Sequence, residues 1–306
     1  LFKTKKKHQT YFTLIKVLLS VAVVYLIYHQ LSKLGEDAWR QFKVEHIWIT
    51  FVAGLLVFPN IYMVYLMWKA TLRTASIEVE KTTKIQSFFA GILTGLVTPN
   101  MIGNFLGRMY YFRSHDRIAV TTLTLYTNLA QFVVTLLFGV ISIFLFEELS
   151  FTVDFTVPQG IMFAVAAIIL VIYFFAPWIV RSTGIGRLQE FSDYTQGRTS
   201  FKLEILGYAA LRFLIFSSQF AFFLYAFGVD LNLKLLLGIW QVYLITMLFP
   251  SLFLGKVGIK ESVSIFILGA MGVNEYAALF ASLALWLINT ISPALVGLVI
   301  CRKRAI

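Results

Sequence analysis

Thr98-Pro99-Asn100-Met101-Ile102-Gly103-Asn104-Phe105-Leu106-Gly107-Arg108 and Phe249-Pro250-Ser251-Leu252-Phe253-Leu254-Gly255-Lys256-Val257-Gly258-Ile259-Lys260-Glu261 are two versions of one pattern. In each, a proline follows an apolar run, a glycine stands shortly after it (Gly103, Gly255), and a basic residue stands five positions beyond that glycine (Arg108, Lys260). Proline removes a backbone donor and glycine weakens a helix, so Pro99, Gly103, Gly107, Pro250, Gly255 and Gly258 mark two helix breaks. At membrane depth, broken backbone is tolerated only where it is buried in protein or lines a cavity. A broken helix carrying a cation, present twice, predicts a polar substrate site.

The surrounding sequence places these breaks in a membrane. Of 306 residues, 59% are hydrophobic, 16% aromatic and only 13% charged, against about 25% charged in soluble domains. Long continuous apolar stretches recur along the whole length, which predicts an all-α polytopic integral membrane protein and excludes a β-barrel, whose strands alternate. The net charge of +11 does not predict nucleic-acid binding, because the basic residues cluster at the ends of apolar spans, as topology signals do. The single cysteine, Cys301, excludes an intrachain disulfide and reads as a buried or interfacial thiol. The chain opens on Leu1 and not Met, so residues are expected upstream; the basic run before the first apolar stretch reads as the flank of an uncleaved span.

Six full spans are expected, at about Tyr11–Leu31, His46–Ala70, Ala119–Phe146, Gln159–Val180, Ile205–Phe227 and Tyr276–Ile300. Leu31–Val44, with Trp39 and mixed charges, reads as an amphipathic helix on the outer interface. Residues 85–112 and 235–271 each split at their motif into arms of about 14 residues, ~21 Å as helices against ~30 Å of hydrocarbon. They are read as re-entrant helical hairpins; if their arms cross fully, the chain has up to ten membrane segments. With the N- and C-termini cytoplasmic, most of the 26 basic residues fall inside, whereas the loop Glu147–Val157 carries three acids and no Lys or Arg. Three full spans separate the hairpins, so the first enters from the cytoplasm and the second from outside. One transmembrane domain over 1–306 would then hold inverted-topology repeats, about 46–146 and 205–300, with the site near the midplane.

Lys16, Arg108, Arg212, Lys256, Lys260 and Glu261 are the ionisable residues inside apolar segments. Lys16 stands near its span's cytoplasmic end and can snorkel. The other five would together cost about 15 kcal/mol if they faced lipid, at about 3 kcal/mol each. They must therefore face one another, water or a ligand. One acid cannot neutralise four cations, so the excess positive charge predicts an anion site, with phosphate the membrane-resident candidate. The alternative is a Glu261 ion pair stapling the hairpins while the remaining cations snorkel. Gly91-x-x-x-Gly95 and Gly103-x-x-x-Gly107 read as close helix packing. Asn128, Gln131, Gln219, Gln241 and Asn289 read as interhelical hydrogen-bonding groups, and His115 as part of a solvated loop. No metal-ligand spacing, nucleotide motif or catalytic triad is present in the sequence, so no metal or cofactor is expected.

At the two motifs the sequence resembles the lysylphosphatidylglycerol synthase transmembrane region, or flippase-like domain, family. Its pattern has a Pro-x-x-x-Gly-Glu-x-x-Arg-like first motif and a Pro…Gly-x-x-Gly-x-Arg-Glu second motif. Pro99, Gly103 and Arg108 stand close to the first; Pro250, Gly255, Gly258 and Glu261 match the second. Asn104 replaces the acid of the first motif, Lys260 replaces the Arg of the second, and Lys256 is an added cation. The site is thus more positive than the family pattern, which suits a more anionic substrate and argues against a lysyl-lipid. The soluble aminoacyl-transfer domain of larger members has no counterpart in these residues, so synthase activity is not expected to carry over.

The resemblance and the charge count together imply a lipid translocase of a bacterial inner membrane. An anionic phospholipid or lipid-linked phosphate would bind at Arg108, Lys256, Lys260, Glu261, Asn104 and Arg212 in a cavity between the hairpins. The alternatives are a membrane-embedded lipid-modifying transferase, an accessory subunit that presents lipid to one, and a scaffold that holds lipid structurally. A homo-oligomer or a lipid-synthesising enzyme partner is compatible with each.

Overall fold

The structure is a computed structural model and describes residues 43–96, 98, 103–145, 159–182, 184, 186–249 and 258–301. All regular structure among these residues is helical: α1 (Ile47–Leu55), α2 (Val57–Thr74), α3 (Lys81–Leu96), α4 (Gly103–Met109), α5 (Asp116–Leu145), α6 (Gln159–Ser182), α7 (Gly186–Thr195), α8 (Thr199–Ala226), α9 (Leu233–Leu248), α10 (Ile259–Ala270), α11 (Glu275–Trp286), a π-helical turn (Leu287–Ile291) and α12 (Ser292–Ile300). Five stretches are long and apolar enough to cross a membrane: Ile47–Thr74, Asp116–Leu145, Phe163–Ser182, Thr199–Ala226 and Glu275–Ile300. They coincide with five of the six expected spans. The sixth, Tyr11–Leu31, lies outside the described residues, as does nearly all of Leu31–Val44.

Helix boundaries follow local chemistry. The Asn232 side chain caps α9 by accepting the Leu235 N–H at 2.7 Å, and Asn274 caps α11 by accepting the Tyr276 N–H at 2.9 Å. Prolines mark irregularities inside the spans. Pro59 stands one turn beyond Leu55, where α1 gives way to α2. Pro293 stands in the first turn of α12, directly after the π-helical turn. Pro177, inside α6, cannot donate to the Tyr173 carbonyl. The Tyr126 hydroxyl on α5 donates to that carbonyl instead, at 3.0 Å, and its ring stacks on Tyr173 with centroids 4.7 Å apart. Next to it, the Lys202 ammonium donates to the Phe174 carbonyl at 2.6 Å.

Both motifs break a helix at the expected place. In the first hairpin, α3 ends at Leu96 and α4 begins at Gly103; in the second, α9 ends at Leu248 and α10 begins at Ile259. The first pair is antiparallel, since Ala90 and Gly91 on α3 face Gly107 and Arg108 on α4 while Thr94 faces Gly103. The glycines make this approach possible: a Cβ on Gly91 would fall 2.8 Å from Arg108 Cγ, and one on Gly107 would meet the Ala90 backbone. The packing reading of the two glycine repeats therefore holds at Gly91, Gly103 and Gly107. Two threonines complete the break, with Thr98 Oγ1 accepting the Gly103 N–H at 2.6 Å and Thr94 Oγ1 donating to the Gly103 carbonyl at 2.5 Å. Gly258, before α10, has φ +87°, a conformation that favours glycine.

The arms differ from the expected even length. α3 and α9 have 16 residues each, α10 has 12 and α4 only 7. The short arm stops because Tyr111 and Phe112 turn back, their N–H groups bonding Arg108 and Met109 three residues earlier. The turn buries both rings in a cluster with Trp68, Leu72 and Phe88.

α8 is the central post, packed against α1, α2, α5, α9 and α11. α5 is the shared wall, touching α4 of the first hairpin and α9 of the second. The final span divides its contacts, α12 against α3 and α11 against α10. A polar chain crosses this bundle: Asn60 donates to Asn289 (2.6 Å), Asn289 to Gln219 (2.7 Å), and Gln219 to the Ala53 carbonyl (2.8 Å). The expectation that Gln219 and Asn289 join helices is met.

Candidate functional site

Arg212, Phe216 and Phe220 recur every four residues on α8 and so share one face. On this face Lys260, from the second turn-residue of α10, lays its ammonium over two rings, 5.5 Å from the Phe216 centroid and 5.3 Å from that of Phe220. The Arg212 guanidinium stands 6.0 Å from the Phe216 centroid and donates to Gln131 Oε1 on α5. Cations held over aromatic faces are stabilised without a counter-anion, by ~0.5–2 kcal/mol each.

Arg212 and Lys260 line one cavity of about 230 Å³ at the meeting of α5, α8, α9 and α10. Its other walls are Gln131, Thr135, Ala209, Phe213, Phe216, Tyr243, Thr246 and Met247. Tyr243 is fixed by donating its hydroxyl to the Phe216 carbonyl at 3.3 Å. No carboxylate is among the described lining residues, and the Arg212 Nε is buried without a hydrogen-bond partner. The cavity is therefore a pocket with two cations, hydrogen-bonding neighbours and aromatic walls.

Glu261 is not among the cavity's described lining residues, although its carboxylate charge acts on the neighbouring Lys260 ammonium. The Glu261 side chain is turned to the start of its own helix, where Oε2 accepts the Gly258 N–H at 2.6 Å. A carboxylate at this position satisfies an orphan donor and meets the positive end of the helix dipole. The residue is 3% exposed, and its Oε1 has no partner. Among the described residues Glu261 makes no ion pair, so the structure does not show the stapling pair that the sequence left open.

Arg108 occupies a different place. It is 3% exposed, with its guanidinium carbon 4.7 Å from the Trp68 ring and 5.7 Å from that of Phe88, and its Nε has no partner. No described acid pairs with it. Trp68 is held in turn by donating its indole N–H to the Lys84 carbonyl at 3.1 Å. Among the described residues the cations fall into two groups, Arg212 with Lys260 at the second hairpin and Arg108 at the first, and Arg108 is not among the described lining residues of the Arg212–Lys260 cavity. The physical reason is α4's brevity, which keeps Arg108 against α2 and α3. Asn104, on the same short helix, faces Gly91 with its Oδ1 buried and unpartnered. Lys256, Pro99, Pro250 and Gly255 lie outside the described residues.

The aromatic holders Trp68, Phe88, Phe216, Phe220 and Tyr243 were not singled out by sequence reasoning. The four-residue recurrence from Arg212 was their one available signal. His115 is exposed near Asp116, in keeping with a solvated loop. Cys301 is buried, its thiol 3.5 Å from the Gln86 carbonyl. No group of three or more metal-ligating side chains occurs among the described residues.

The fold and the pocket define a polytopic helical membrane protein with two broken helical hairpins and basic residues buried among its spans. The family described as the lysylphosphatidylglycerol synthase TM region matches residues 13–297, and the chain belongs to it. No curated protein and no solved structure matches the chain.

Proposed function

We propose that this protein is a lipid translocase, carrying an anionic phospholipid or lipid-linked phosphate between the leaflets of a bacterial inner membrane. One observation carries the reading: Arg212 and Lys260 converge on a cavity among apolar spans with no carboxylate among its described walls. Two cations there attract an anion, and a phosphate head group supplies one while its tails remain in lipid. Exposed Leu214 on α8 and Leu248 and Phe249 at the end of α9 supply apolar surface for those tails.

The hairpins supply the route. The arms α4 and α10, at ~10 and ~18 Å, fall short of ~30 Å of hydrocarbon, which supports re-entrant hairpins, and the odd number of spans between them has them open to opposite sides. Membership of a lipid-associated family is consistent with this. In the proposed cycle Arg108 is the first hairpin's cation, Asn104 its neighbour, and Lys256 an addition to the second hairpin's charge. Glu261 fixes the α10 N-terminus that presents Lys260. Pro99, Gly103, Gly107, Pro250, Gly255 and Gly258 keep the hairpins broken. Both termini are placed in the cytoplasm by the positive-inside pattern.

The test is leaflet sidedness of a fluorescent anionic phospholipid in proteoliposomes. Arg212→Ala/Lys260→Ala should slow movement by about tenfold or more, since each charge-assisted contact contributes ~1.5–3 kcal/mol. Equal movement with wild type and the double variant, both properly inserted, refutes the proposal.

A further inference from the structure

We infer that the head group bound at the second hairpin is a phosphomonoester dianion rather than a phosphodiester. This rests on the translocase reading of the Arg212–Lys260 pocket and specifies its substrate. A phosphomonoester carries about −1.5 to −2 charges at pH 7, because its second pKa is near 6. A phosphodiester carries one. The described cavity presents two separate cations, an arginine suited to bidentate contact and a lysine acting as a point charge. Gln131 and Thr135 on α5 are uncharged, Tyr243 is the titratable group from α9, and neither histidine nor carboxylate is among the described lining residues. The nearest acid in sequence, Glu261, directs Oε2 to the Gly258 N–H and is not among the lining residues. A monoanion has one charge to share between the two lining cations; a dianion can pair with each.

Size points the same way. Pockets for drug-sized ligands run to ~300–1,000 Å³, whereas this open-mouthed one has a volume of about 230 Å³. A bare phosphate on its ester oxygen fits such a volume. A head group extended by an aminoacyl or sugar unit would project from its mouth, away from the two cations.

The discriminating experiment uses the full chain in nanodiscs and measures displacement of a fluorescent short-chain phosphatidic acid. Competitors are dioleoyl phosphatidic acid, dioleoyl phosphatidylglycerol, dioleoyl phosphatidylethanolamine and inorganic phosphate, at pH 7.5 and pH 5. At pH 7.5 phosphatidic acid should compete about tenfold or more better than phosphatidylglycerol, by one further charge-assisted contact. At pH 5, where the second proton has returned to the phosphomonoester, that preference should shrink to about threefold or less. Lys260→Gln should bring phosphatidic acid down to the level of phosphatidylglycerol at both pH values, while Lys260→Arg retains the preference and reports that the fold is intact.

Equal or better competition by phosphatidylglycerol or phosphatidylethanolamine at pH 7.5 overturns the inference, as does a preference that ignores pH. Inorganic phosphate competing as well as phosphatidic acid assigns the site to a free anion and overturns the lipid assignment. The sidedness assay fails separately. Translocation without monoester preference refutes only the head-group assignment, and monoester-selective binding without translocation refutes only the translocase reading.

Discussion

Gly107→Ala should loosen the first hairpin, and the structure sets both the size of the effect and its control. A Cβ at this position would come 2.8 Å from the Ala90 carbonyl carbon and would crowd the Ala90 oxygen and Thr94 Oγ1 more closely still. Neither obstacle swings aside easily. One is the backbone of α3; the other is a hydroxyl that donates to the Gly103 carbonyl at 2.5 Å, with the Ala90 carbonyl also 2.8 Å away. Overpacking costs about 1–3 kcal/mol, and leaving the Gly103 carbonyl unpaired adds about 1–3 kcal/mol. The better helix propensity of alanine returns about 1 kcal/mol. The net expectation is about 1–5 kcal/mol of destabilisation. Gly207, inside α8, has nothing within 4 Å of its Cβ position, so Gly207→Ala should gain up to about 1 kcal/mol from propensity alone. The same chemical change is expected to have opposite signs at the two sites. Detergent-purified variants heated and passed over a sizing column would show Gly107→Ala losing its monodisperse peak at lower temperature than wild type, and Gly207→Ala at the same or a higher one. The sole cysteine provides a local readout, because Cys301 is buried against Gln86 of α3. A maleimide should label it faster in Gly107→Ala and at the wild-type rate in Gly207→Ala. If Gly107→Ala melts with Gly207→Ala and its thiol is no more reactive, the close-packing argument is wrong.

Tyr126→Phe should cost about 1–3 kcal/mol by stranding the Tyr173 carbonyl that Pro177 cannot serve, while leaving the ring stack in place. In a Pro177→Ala background the helix can satisfy that carbonyl itself, so a double-mutant cycle on melting should show the Tyr126→Phe cost reduced; full additivity would count against the assignment. Glu261→Gln keeps an acceptor for the Gly258 N–H and loses only the charge–dipole contribution, about 0.3–1 kcal/mol. Lipid movement should therefore survive in Glu261→Gln; its abolition in a variant that still folds would point to Glu261 as a general base and revive the transferase reading.

Much of the fold was legible because the membrane imposes a length and a composition. Five of the expected spans lie within a few residues of helices long and apolar enough to cross, since twenty apolar residues in sequence have few other uses. The breaks were legible for an equally local reason: Pro99 and Gly103, and Pro250 and Gly258, remove the donors and the conformational restriction that continue a helix. The arm lengths were not. Whether α4 ran on past Met109 depended on where Tyr111 and Phe112 could be buried, and Trp68 and Phe88, which receive them, lie far away in sequence. The pairing of cations was likewise obscure. Arg212 and Lys260 are 48 positions apart, and only the approach of α10 to α8 brings them to one cavity. Arg108, equally prominent in the motif, meets Trp68 and Phe88 instead.

Composition, charge placement and two short motifs determined by themselves that this chain lies in a membrane, that its helices break twice, and that its buried cations outnumber its buried acids. Those properties are sums or local rules, and they need no knowledge of neighbours. Tertiary structure decided which cations meet, that Phe216 and Phe220 hold Lys260, and that Glu261 turns to its own helix terminus. A buried charge takes its role from the groups that replace its water, and those groups come from other helices.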